Sequence, residues 1–186
     1  MRVKFVIFLT VIGFFYSCGG SGNVKSDNSI QILKDKIKLK EESLGKSQNK
    51  DKSFSTIDHN ELIALLLDFS TKFPKDPYAP VCLDKIHMAY SAIGLYSKAS
   101  EYADLLLKKY PKYVNRAMIL ESQASNYDIF IQPRDTSKVR YYNEVLLKEN
   151  PNMSKERKED IQMKLKHLDL NLEEYLDFIM KQANGK

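Results

Sequence analysis

The sequence predicts an all-α array of helical hairpins, and three observations in its 186 residues carry that prediction. Prolines punctuate the chain at near-even distance: Phe73-Pro74, then Tyr110-Pro111 37 residues on, then Asn150-Pro151 40 after that. Between them apolar residues recur at three- and four-residue spacing, as in Leu62, Leu65, Leu66 and Phe69, which places them on one helix face. Asp58 followed by Glu61 has the form of a capping-box start just ahead of that run. A period of this length marks stacked two-helix units, an α-solenoid of about six to seven helices over residues 56–186.

The elements follow in order. Arg2 and Lys4, the apolar run of 11 residues from Phe5 to Phe15 broken only by Thr10 and Gly13, and the small-residue exit Ser17-Cys18-Gly19-Gly20 read as an export signal over 1–17. The run is too short to span a bilayer comfortably. Residues 18–55 read as a lysine-rich tether, flexible at Gly19-Gly20-Ser21-Gly22 and polar from Ser43 to Ser55, compositions that do not build a core. Within it Ile30, Leu33, Ile37 and Leu44 fall at helical spacing. They allow a short amphipathic helix over 29–44 that would be marginal alone in water.

The central unit is the most regular. Leu83, Ile86, His87 and Tyr90 lead to Gly94, then Ala99, Ala103 and Pro111. Gly94 can take the positive φ that ends a helix, Ala99 lets a second helix approach closely, and Pro111 stops it. Tyr90 and Tyr96 are expected to fill the space between the two helices. The next unit is irregular: a helix over about 113–128 with Ala117, Leu120 and Ala124, a turn lengthened by Ile129 to Asp135, and a helix with Val139, Tyr142, Leu146 and Leu147. An insertion in a surface turn is tolerated. A last pair, Ser154 to His167 and Leu170 to Gln182, is expected to cap the stack, polar outside and apolar at Ile161, Leu165, Leu168 and Leu172, as terminal repeats require.

These residues resemble the tetratricopeptide pattern of W-x2-L-G-x2-Y, then A-x3-F, then P. With the Ser17-Cys18-Gly19 start and the segment Phe73-Pro74-Lys75-Asp76-Pro77-Tyr78-Ala79-Pro80, the chain is similar to the small tetratricopeptide outer-membrane lipoproteins of Gram-negative bacteria. In repeat style it resembles BamD of the barrel-assembly machine and CpoB of the Tol-Pal system. The resemblance implies removal of 1–17, acylation of Cys18, sorting to the outer membrane and a domain facing the periplasm. With Cys18 acylated, Cys82 has no partner for a disulfide, so stability must come from packing.

Charge and motifs narrow the function. From Ser53 onward the chain has 19 Lys and Arg against 19 Asp and Glu. It is therefore formally neutral and lacks the net basic excess expected of a nucleic-acid binder. There is no G-x-S-x-G, H-E-x-x-H or P-loop, so no enzyme, cofactor or small-molecule substrate is expected. His59, His87 and His167 lack metal-ligand spacing. In tetratricopeptide arrays the first helices of each pair line a concave groove. The resemblance assigns Val81, Asp84, Met88, Ser91, Ala92, Asn115, Met118, Ser122, Ser125 and Asn126 to that groove. Met, Ser and Asn make an adaptable lining for an envelope protein or peptide segment; a peptidoglycan- or glycan-binding module is the alternative.

Overall fold

The structure is a computed structural model that describes residues 22–51 and 56–184. The signal over 1–17, Cys18 and residues 52–55 lie outside the described residues. The described part is all-α: α1 (Gly22–Asp51), α2 (Thr56–Lys72), α3 (Ala79–Ala92), α4 (Tyr96–Lys109), α5 (Arg116–Ser125), α6 (Thr136–Glu149), α7 (Lys155–Lys166) and α8 (Leu172–Asn184). One π-helical turn, Asn126–Phe130, extends α5.

Helices α1 to α6 pair in chain order, and the array forms two layers. Lys85 of α3 donates to Glu41 of α1 at 2.6 Å, His87 of α3 meets Ser122 of α5 at 2.9 Å, and Arg157 of α7 donates to Glu121 of α5. Odd-numbered helices are thus neighbours. On the other layer Tyr142 of α6 donates to Asp104 of α4 at 2.5 Å. Ile37, Leu66, Phe69, Ile86, Ala103 and Leu106 are fully buried in one core cluster, and Leu120, Val139, Tyr142 and Leu146 are buried in a second. Burying such side chains is worth about 1.5–3 kcal/mol each for the larger ones.

The tether reading of 18–55 needs correction. Leu33, Ile37 and Leu44 are buried against α2 and α3, so α1 belongs to the folded unit. Tertiary packing supplies what the isolated helix lacks. Asp58 and Glu61 hold this join: Lys40 of α1 donates to both, at 2.6 and 2.5 Å.

Turn chemistry follows the sequence at most joints. Gly94 takes φ +74° in the α3–α4 link, Ser154 caps α7 through Arg157 N, and Asp135 caps α6 through Lys138 N. Asn171 and Glu174 cap α8 reciprocally, the capping-box arrangement. The cap on the stack differs from expectation: α8 turns Tyr175 and Phe178 inward but leaves Leu172, Leu176, Ile179 and Met180 exposed. These four residues share one side of a strongly amphipathic helix, and no other described element covers that side.

Candidate functional site

The odd-helix face is the surface on which the sequence places a groove. On α3, Met88 stands 62% exposed and Ala92 beside it is open, whereas Val81 and Ser91 are half-buried. On α5, Met118 is 66% exposed and Ser122 and Ser125 are half-buried. Methionines 30 positions apart in sequence thus occupy open positions on two neighbouring helices. Met88 also borders a cleft with Ala92, Leu62, His59, Leu44 and Glu41, between α1, α2 and α3. Ser125 borders another with Ala124, Asn143, Ile161, Lys164 and Tyr175, between α5, α6, α7 and α8.

Two of the assigned groove residues are buried instead. Asn126 is 4% exposed and donates to Ser100 Oγ of α4 at 3.1 Å, because the π-turn rotates it into the interior. Asp84 is 8% exposed; Tyr113 Oη donates to it at 2.9 Å and Asn115 Nδ2 at 3.4 Å. Asn115 therefore serves as a partner of Asp84 at the start of α5. Burial pushes the Asp84 carboxyl up, but nearby His87 and the hydrogen bonds from Tyr113 and Asn115 outweigh it and hold the group below the usual carboxylate range.

Asp84, His87 and Ser122 lie together, and their geometry decides what they can do. His87 Nε2 is 2.9 Å from Ser122 Oγ, while His87 Nδ1 is 3.9 Å from Asp84 Oδ1, beyond hydrogen-bond distance. In a Ser-His-Asp triad the carboxylate bonds Nδ1 and backbone N–H groups face the developing oxyanion. Here the carboxylate is engaged by Tyr113 and Asn115, and Ser122 sits in the body of α5, where backbone N–H groups bond within the helix. The trio acts as a polar bridge between α3 and α5. His87 supplies this bridge, and Tyr96 stacks on Phe130 of the next unit at 4.3 Å and not on Tyr90. Tyr90 pairs with Tyr102 at 5.5 Å.

Cys82 is fully buried, and burial pushes its thiol up to about 12. A thiol held protonated is a packing group, since the thiolate is the reactive form. Among the described residues no group of three or more His, Cys, Asp or Glu is placed to hold a metal.

Sequence reasoning missed a buried polar network beneath the face. Gln123 is fully buried and its Nε2 donates to Asp104 Oδ1 at 2.6 Å and Ser100 O at 3.1 Å; Tyr142 Oη donates to the same Asp104 oxygen. The only signal was a polar residue, Gln123, beside the apolar Ile119, Leu120 and Ala124 on α5. Comparison with known proteins finds no matching family model, no matching curated protein and no matching solved structure. What the face can do rests on the residues themselves.

Proposed function

We propose that this chain is a membrane-anchored scaffold of tetratricopeptide style, which binds another envelope protein or a peptide segment of one. In this reading it acts in cell-envelope biogenesis or maintenance from the periplasmic side of the outer membrane. The observation that carries the proposal is the pair of open methionines, Met88 and Met118, on adjacent helices of one layer. Flexible thioether side chains on a rigid, bridged helical layer adapt to a partner at low reorganisation cost. The Cys18 start supplies the lipid anchor in the same reading.

Met88→Arg and Met118→Arg each place a charge in the contact zone while pointing away from the cores. Helical circular dichroism and Tm should stay within a few degrees, and the partner captured from solubilised envelopes should be lost. Retention of the partner by both variants overturns the assignment. A glycan-binding module is the second reading, and one observation favours it: Phe130 is half-exposed and stacked on Tyr96, an aromatic ledge of the kind sugars stack on. Retention on purified sacculi, abolished by Phe130→Ala and untouched by the methionine variants, would establish that reading instead.

A further inference from the structure

The two edges of the array differ in charge, and the difference points to a second contact surface. Three polar contacts line up the turns that lead into odd-numbered helices. Lys34 of α1 bonds Asp76 at 3.2 Å, Tyr110 Oη donates to Pro74 O at 2.7 Å, and Arg116 donates to both Leu107 O and Glu149. Residues 73–78, 110–115 and 150–154 therefore share one edge. The chain enters the array from this side. α1 passes Lys34 beside Asp76 and carries Lys40 onward to Asp58 and Glu61 at the start of α2; Ile30 still packs on the core, so Gly22 projects about 12 Å beyond the edge at 1.5 Å per residue. Cys18 precedes Gly22 by four residues in the sequence.

On this edge Lys108, Lys109, Lys112 and Lys148 are exposed and form no ion pair among the described residues. Of the carboxylates beside them, Glu149 is matched by Arg116 and Glu144 by Arg140. Lys108, Lys109 and Lys148 end helices, where the macrodipole favours a cation. Lys112 lies in a turn and has no such reason. The four stand two or more packed helices away from α1, at roughly 10 Å per helix. If α1 leans by roughly 20–30°, both the Gly22 end and the lysine row reach one plane.

We propose that this lysine row docks on the anionic headgroups of the membrane in which Cys18 is anchored, so that the domain rests on two feet, the acylated end of α1 and Lys108, Lys109, Lys112 and Lys148. The inference rests on the anchored-scaffold reading. Its physical basis is charge complementarity with an anionic leaflet, which attracts basic residues only within a Debye length. The lean of α1 brings them there, and it turns the opposite edge, with Leu95 and Phe130, away from the lipid.

The test is lysine acetylation, read residue by residue by mass spectrometry. It is applied to the full acylated chain in vesicles of phosphatidylcholine alone or with about one third phosphatidylglycerol. Fatty-acid label on Cys18 reports the anchor separately. On the anionic vesicles Lys108, Lys109, Lys112 and Lys148 should react about fivefold more slowly, Lys98 on the opposite edge should be unchanged, and added salt should erase the difference. In Lys109→Glu/Lys112→Glu the remaining Lys108 and Lys148 should lose their protection. Equal reactivity on both vesicles with the label retained overturns the docking alone, as does protection of Lys98. Absence of the label overturns the docking and the anchor together.

Discussion

The hairpins α3–α4 and α5–α6 have nearly the same helix lengths and are held by different physics. In the first, Leu83, Ile86, Ala99, Ala103 and Leu106 are buried, the link is three residues, and Gly94 makes its turn. Within this hairpin close approach at alanines and dispersion do the holding, while its buried polar side chains Asp84, His87 and Ser100 bond across to the next unit. In the second, Gln123, Asn126 and Asn143 are buried, and hydrogen bonds from Gln123 and Tyr142 converge on Asp104 of the neighbouring hairpin. A π-turn and a longer link replace the glycine. Apolar packing leaves the angle between hairpins loosely defined, whereas directional bonds fix it. The polar hairpin therefore sets how Met118 stands relative to Met88.

The largest expected effect comes from breaking that polar contrast. Asp104→Ala removes the acceptor for both Gln123 Nε2 and Tyr142 Oη, and each orphaned buried donor costs about 1–3 kcal/mol. Urea unfolding should show a loss of about 2–4 kcal/mol, and loss below about 0.5 kcal/mol would mean that solvent replaces the carboxylate. Tyr142 is a matching probe: burial and the Asp104 bond raise its phenol pKa well above the usual tyrosine range. In Asp104→Ala its titration should move back towards normal.

The same contrast explains what was legible from residues alone. The α3–α4 hairpin could be read because Ala99, Ala103, Gly94 and Pro111 are small or conformationally special, and such residues encode contact distance and turn type directly. The α5–α6 network could not, since Gln123 and Asp104 lie 19 positions apart and a polar residue on a helix ordinarily marks a solvated face. α1 was underestimated for a related reason. Its apolar stripe of Ile30, Leu33, Ile37 and Leu44 was visible, but the partners that bury it, Leu62, Leu66 and Phe69, are fixed only by tertiary packing. Of the groove residues, Met88 and Met118 stand open. Asp84 and Asn126 turned inward because hydrogen-bond partners on α4 and at the start of α5 were available there.

The apolar hairpin has its own test, of intermediate size. Ala99 is fully buried, and Ala99→Leu inserts three carbons where α4 packs on α3. Overpacking of this kind costs about 1–3 kcal/mol. Lys98→Leu, one residue earlier and exposed, should stay within about 0.5 kcal/mol. Equal shifts in Tm for the two would show that α4 is rotated from the register described above.

The smallest expected effect lies between the hairpins, at Asp84. Its carboxyl is held below the ordinary value in the folded chain, so its contribution is fully present above the unfolded carboxylate pKa of about 3.9 and is lost as pH falls through the folded value. Asp84→Asn keeps an acceptor for Tyr113 and Asn115 but removes the charge. The variant should lose about 1 kcal/mol at pH 7, the difference between charged and neutral hydrogen bonds. Urea midpoints taken from pH 7 down to pH 3 should converge for the two proteins as pH drops. A constant gap across that range would mean that the cost at Asp84 is steric and that its ionisation does not help join α3 to α5.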